Sequence, residues 1–289
     1  MPSRWTGRRE RFRRVVGGGR CVYPGSVYDP ISARIAADLG FEVGMFAGSI
    51  ASMAVLGAPD LIVLTLTEFA DQARRIGRGA DLPLMVDADH GYGNALNVMR
   101  TVEELEAAGV AGLSIEDTDL PRPYASQGAQ RLLSVEEGAG KMRAAVAARH
   151  DPDLVLAGRT SAVEITGVDD AVQRARAYEA AGVDAIFLVG VKTRDQLDAI
   201  APKLSLPLIL GSVGPALMDL DYLTARNVRL CLQGHQPFQA AVQATYATLK
   251  ALRDGTEPGR LDGLASAELM RKATRADEYE SWTRTFLET

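Results

Sequence analysis

Eight short apolar runs punctuate the chain, each followed by a polar or glycine turn and then by a stretch of helical period. The runs are CVYPG (21–25), VGMFA (43–47), LPLMV (82–86), GLSIE (112–116), LVLAG (154–158), AIFLV (185–189), LPLIL (206–210) and VRLCL (228–232). Their length suits buried strands better than core helices. Between them, SARIAADLG sets Ala33, Ile35, Ala36 and Leu39 on one side and stops at Gly40. ALNVMRTVEELEAAG does the same with Leu96, Met99, Val102 and Leu105 and stops at Gly109. Ser134 with Glu137, and Thr193 with Gln196, carry the spacing of helix capping boxes. The helix holding Ala171, Ala175 and Tyr178 stops at Gly182. Strands alternating with helices make a parallel sheet, and eight such units predict an α/β fold, a (β/α)8 TIM-type barrel. An open doubly wound sheet is the alternative, but no dinucleotide glycine fingerprint follows the first run.

The flanks add two helical pieces to a single barrel domain spanning 1–289. At about 1–17, MPSRWTGRRERFRRVVGGGR lacks the apolar core of a secretory signal. It reads as a solvated basic helix ended by Gly17, Gly18 and Gly19, with a transit peptide or a basic arm as the other possibilities. QAAVQATYATLKALRDG predicts the last barrel helix. SAELMRKATRADEYESWTRTFL, in a tail at about 264–289, predicts a helical extension that packs on another subunit or covers a barrel end.

Composition narrows the function class without choosing it. With 32 basic against 37 acidic residues the net charge is −5, which argues against a general nucleic-acid partner. Cys21 and Cys231 cannot build a disulfide framework and point to a reducing compartment, so a cytoplasmic location is expected. No apolar run reaches transmembrane length, and no membrane partner is expected.

Barrel chemistry collects where strands end at their C-terminal face. Those positions hold Tyr28 and Asp29, Gly48 and Ser49, Asp87 and Asp89, Glu116 and Asp117, Arg159 and Thr160, and Gln233 and His235. In VDADHGYGN (86–94), Asp87 and Asp89 alternate along a strand end and so project to the same side. With Asp60 and Glu116 they bring four carboxylates to one mouth, where mutual repulsion calls for a hard divalent cation. Magnesium keeps several waters, so one carboxylate should bind directly and the rest through water; manganese accepts the same oxygen ligands. Plainer roles remain open for each residue. Asp89 or Asp60 could cap the next helix, Glu116 and Arg159 could be ordinary ion pairs, and His235 a satisfied loop histidine. GSVGP (211–215) reads as a turn before it reads as a phosphate cradle. An EF-hand is excluded, because the twelfth position from Asp87 is Val98.

The segments PGSVYDPISARIAADLGFEVGMFAGS, VDADHGYGN, GVAGLSIEDTDLPRPY and GRTSA resemble the isocitrate lyase/phosphoenolpyruvate mutase superfamily over about residues 20–235. The resemblance implies a barrel with its last helix exchanged between subunits, usually in a homotetramer, and a magnesium site for an α-keto acid. It implies Asp87 as direct metal ligand, with Asp60, Asp89 and Glu116 acting through water. Backbone around Ala47, Gly48 and Ser49, together with Arg159, would hold the substrate carboxylate. Two departures limit the activity. Tyr124 stands where the lyases place a catalytic cysteine, and the mutase asparagine loop is absent. Ala47 and Met45 replace the usual serine and aromatic residue, and GHQPF departs from the lyase pattern. The combination is most similar to the oxaloacetate decarboxylase branch, with His235 as the candidate for orienting substrate or relaying a proton. Other readings are a phosphonopyruvate-type hydrolase using Arg122 and Arg131, another 2-oxo or 2-hydroxy dicarboxylate lyase or hydrolase, and a metal-binding relative without turnover.

Overall fold

In a computed structural model of the chain, residues 5–125, 128 and 130–288 are described. Eight strands pair in sequence order, all parallel: β1 (Gly25–Ser26), β2 (Gly44–Phe46), β3 (Leu84–Asp87), β4 (Gly112–Glu116), β5 (Val155–Thr160), β6 (Ala185–Val189), β7 (Leu208–Gly211) and β8 (Val228–Cys231). The segment before β1 returns to β8 at a parallel bridge between Val22 and Leu230. There the Val22 N–H donates to the Arg229 carbonyl (3.0 Å) and the Cys231 N–H to the Val22 carbonyl (3.1 Å). The sheet thus curls into the expected TIM-type barrel, with helices between successive strands. The first strand differs from its expected run at 21–25: it spans Gly25–Ser26, past Pro24, which cannot donate to a ladder.

Local chemistry sets the helix ends. Asp29 caps Pro30–Asp38 in a reciprocal box with Ser32, so this rim carboxylate is spent on structure. The Thr193–Gln196 box is formed, whereas at Ser134 only the side-chain half is made, to the Glu137 N–H. Gly40 and Gly182 adopt the left-handed backbone that ends a helix. The stretch from Leu61 differs from expectation. Its helix begins only at Leu66, where Thr65 and Glu68 form a capping box, so Asp60 does not cap it.

The N-terminal helix Thr6–Val16 also differs from a solvated helix. Phe12 is fully buried against Gly112, and Arg8 and Arg9 are buried as well. Arg8 donates to the Gly77 carbonyl and Arg9 to the carbonyls of Glu106 and Val110. Gly77 and Glu106 lie in last helical turns, where carbonyls lack intrahelical partners and the dipole end is negative. The arginines are therefore drawn inward to the strand-entry end of the barrel.

The chain divides into two compact units, Met1–Gly234 and His235–Thr289. The second carries the helices Gln236–Arg253, Ala267–Thr274 and Ala276–Phe286. Among its described residues, Val242, Tyr246, Leu249, Tyr279, Trp282 and Phe286 are exposed. No helix among the described residues is long and apolar enough to cross a membrane.

Candidate active site

Strand register builds the site. Asp87 of β3 pairs with Ser114 of β4, Glu116 of β4 with Arg159 of β5, and Arg159 with Phe187 of β6. Neighbours in register point the same way, so one row of side chains crosses four strands at their C-terminal ends. The Ser114 hydroxyl donates to Asp87 Oδ1 at 3.0 Å, orienting that carboxylate. The Arg159 guanidinium bridges the two acids: Nη1 meets Asp87 Oδ2, and Nη2 lies 3.3 Å from Glu116 Oε2. Its other support is the Phe187 ring, 5.5 Å from Cζ, a cation–π contact. The Thr118 hydroxyl donates to Glu116 Oε2 at 2.9 Å. Asp87 is 8% exposed and Glu116 4%, so these are desolvated charges rather than surface pairs.

Asp89 joins them by an unusual backbone. Its φ of 48° is left-handed, and the Glu116 N–H donates to its carbonyl at 2.8 Å. Its carboxylate lies against Gly48, where a Cβ would come within 2.7 Å of Asp89 Cγ and closer to both oxygens. Burial pushes the Asp89 carboxyl well above its usual range, with Asp87 next and Glu116 adding to it. Burial likewise raises Glu116, against the pull of Arg159. Asp60, exposed in the preceding loop, is close enough to add to the Asp89 effect. Two buried carboxylates share one arginine, with the half-buried Asp89 carboxyl beside them, and this crowd of acids suits a further cation.

Among the described residues, no three His, Cys, Asp or Glu side chains are grouped closely enough to ligate one ion together. Magnesium takes few direct protein ligands and keeps its waters. An all-oxygen, buried and oriented set around Asp87 fits such an ion.

Gly48 and Ser49 open the short helix Gly48–Ala51 behind β2, so their amides have no intrahelical acceptor. Ala47, extended at the N-cap, is buried. Replacing Gly48 by Ala should displace Asp89 and weaken metal binding at least tenfold at unchanged fold. Calorimetric Mn2+ titration with a circular-dichroism control measures this, and unchanged affinity would separate Asp89 from the metal.

The structure places the remaining candidates elsewhere or apart. Asp117 follows Glu116 but turns away, fully buried, to accept from Arg174 Nη1 (3.0 Å) and the Tyr178 hydroxyl. His235 is half-buried at the start of the second unit and makes no side-chain cap on the helix it precedes. Tyr124, Arg122 and Arg131 are exposed, and the loop between them includes positions 126, 127 and 129, outside the described residues. GSVGP is a packed turn: Gly214 donates to the Val191 carbonyl, and Lys192 Nζ holds the Ser212 carbonyl at 2.5 Å. Ser114, Thr118 and Phe187 were not singled out from sequence. Their signal was the strand period, which puts each on the row that carries the acids.

Residues 12–253 match the family model described as phosphoenolpyruvate phosphomutase. A relative from Rhodopseudomonas palustris (strain BisA53), named oxaloacetate decarboxylase, is 59% identical over 94% of both chains. Among solved structures, oxaloacetate acetylhydrolase in complex with the product oxalate superposes with a TM-score of 0.84 at 30% identity, covering 97% of this chain and 98% of the other. A phosphonopyruvate hydrolase complex with oxalate and Mg++ superposes with a TM-score of 0.85 at 28% identity, covering 98% and 99%.

Proposed function

Because the chain belongs to the phosphoenolpyruvate phosphomutase family and gathers Asp87, Glu116 and Arg159 at one barrel mouth, we propose that it decarboxylates oxaloacetate to pyruvate and CO2. The buried cluster of those three side chains carries the reading. It is supported by the high identity to relatives named for that activity.

Asp87 would hold a magnesium or manganese ion directly, with Asp60, Asp89 and Glu116 reaching it through water. The ion supplies Lewis-acid stabilisation of negative charge on the substrate's C2 oxygen. Arg159 and the amides of Gly48 and Ser49, next to Ala47, hold the C1 carboxylate and fix the molecule's orientation. With C1 held, the C3–C4 bond breaks, CO2 departs, and the electron pair moves through C3 to the C2 oxygen. A proton then returns to C3. His235, shortly after β8, is the proposed relay, since an imidazole can both accept and donate a proton. No thiol is required. Burial pushes Cys21 up to about 12 and Cys231 to about 11, which leaves both protonated and unreactive.

We propose a helix-exchanged assembly, a homotetramer of such dimers, located in the cytoplasm; the exposed Val242, Tyr246 and Leu249 of Gln236–Arg253 support the helix exchange. Pyruvate release should fall to the protein-free rate in chelator and return with Mg2+. At an Mg2+ level about 100-fold above its dissociation constant, the melting temperature should rise by about 5 °C. Release that never exceeds the spontaneous rate would reject the decarboxylase and leave phosphonopyruvate as the next substrate to assay.

A further inference from the structure

Every carbonyl from Ala88 to Gly91, the loop that carries Asp89, is held by a different donor. Ala88 accepts from the Gly91 N–H (2.9 Å) and Asp89 from the Glu116 N–H (2.8 Å). Gly91 accepts from the Thr101 hydroxyl (3.0 Å), and His90 accepts from Lys141 Nζ (2.7 Å). The first three donors are neutral and local to the sheet or its next helix. The fourth is an ammonium reaching in from the helix Val135–Ala148.

Lys141 is an improbable residue for that place. It is 3% exposed, and among the described residues it has no carboxylate within salt-bridge distance and one hydrogen bond, to His90. Burying an ammonium without an ion partner is costly, and a structural turn could hold a carbonyl with a hydroxyl or amide at less cost. The loop it grips has left-handed backbone at Asp89, Gly91, Tyr92 and Gly93, so its shape depends on what pins it. Glu116, Asp117, Asp119 and Glu137 all lie within electrostatic range of Lys141. An anchor behind the loop fixes where Asp89 stands relative to Asp87 and Gly48.

We propose that Lys141 is a positioning residue for the metal site, pinning the His90 carbonyl so that Asp89 is held in register with Asp87 and Glu116. It touches neither substrate nor metal and acts through the loop. The proposal rests on the metal reading above, and it has a distinctive sign. As a mere positive charge, Lys141 repels a cation, and removing it would tighten metal binding. As an anchor, its removal loosens Asp89 and weakens binding.

The test is Mn2+ affinity, read by electron paramagnetic resonance of free Mn2+, in the full-length wild type and two variants. Lys141→Met, close in shape and uncharged, should raise the dissociation constant at least tenfold. Lys141→Arg keeps the charge but moves the donor off the carbonyl, and should raise it at least fivefold. Tighter binding in Lys141→Met, or wild-type affinity in a folded Lys141→Arg, overturns the proposal. If Lys141→Met does not fold, Lys141→Arg decides alone. Amide exchange at His90–Tyr92, followed by mass spectrometry, should quicken at least tenfold in each folded variant while the strands stay protected. If the wild type binds no Mn2+, the metal reading fails by itself, and the exchange rates then decide whether Lys141 pins the loop.

Discussion

Replacing Asp87 by Ala is expected to lower kcat/KM for oxaloacetate at least 10³-fold, roughly 4 kcal/mol of transition-state stabilisation, and to abolish tight Mn2+ binding. Asp87 is oriented by Ser114 and paired to Arg159, so its carboxylate is fixed before anything binds. In the proposed role as an oxygen ligand, a carboxylate preset in this way should cost more to remove than a mobile one. Asp87→Asn controls for volume: it keeps the side chain's shape, removes the charge and leaves one acceptor oxygen where Asp87 uses two, for Ser114 and Arg159. The protein-free rate must be subtracted, since dissolved divalent cations decarboxylate oxaloacetate unaided. Activity within tenfold of wild type would displace Asp87 from the metal.

Arg159→Met should have the second-largest effect, a loss of about 100- to 1000-fold in kcat/KM carried mostly by KM. Arg159 does two things at once. In the proposed reaction it would supply the forked donor for a planar carboxylate, and in the structure it offsets Asp87 and Glu116, both buried. Arg159→Lys keeps the charge but cannot span both acids with a planar fork while keeping the contact over the Phe187 ring, so a loss above tenfold is expected there too. Steady-state kinetics with both variants separates the contributions. Equal activity of Arg159→Lys and wild type would show that charge alone suffices. If kcat collapses while KM is unchanged, substrate holding is the wrong role.

The barrel was legible because the strands are short apolar runs bounded by turn chemistry, and several helices stop at a glycine, as at Gly40, Gly109 and Gly182. The acids were legible because the strand period puts Asp87 and Asp89 on one side and Glu116 at an equivalent strand end. Less visible were residues whose role depends on another element. Asp117 looks like a second rim acid until Arg174 and Tyr178, more than fifty residues away in the chain, are seen to claim it. Lys141 sits on the stripe with Gly138, Met142 and Ala145, and a lysine on an apolar helical face was the signal available. The basic N-terminus was misjudged because charge density says nothing about the helix ends that await it. A helix cap was the plainer role left open for Asp60, and Thr65 with Glu68 supplies that cap instead.

The meeting of Val22 with Leu230 has a consequence for how the chain folds. Beside it, the Cys21 N–H reaches the Thr224 hydroxyl across 203 residues of sequence, whereas the other strand pairs join neighbours in the chain. Loop-closure entropy grows slowly with length but must be met before distant contacts return anything. The seven sequential pairings can therefore accumulate as a growing curved sheet, with the first segment docking onto the last strand at the end. Until then two sheet edges stand open, and the nascent protein is most prone to pair with other chains in that interval.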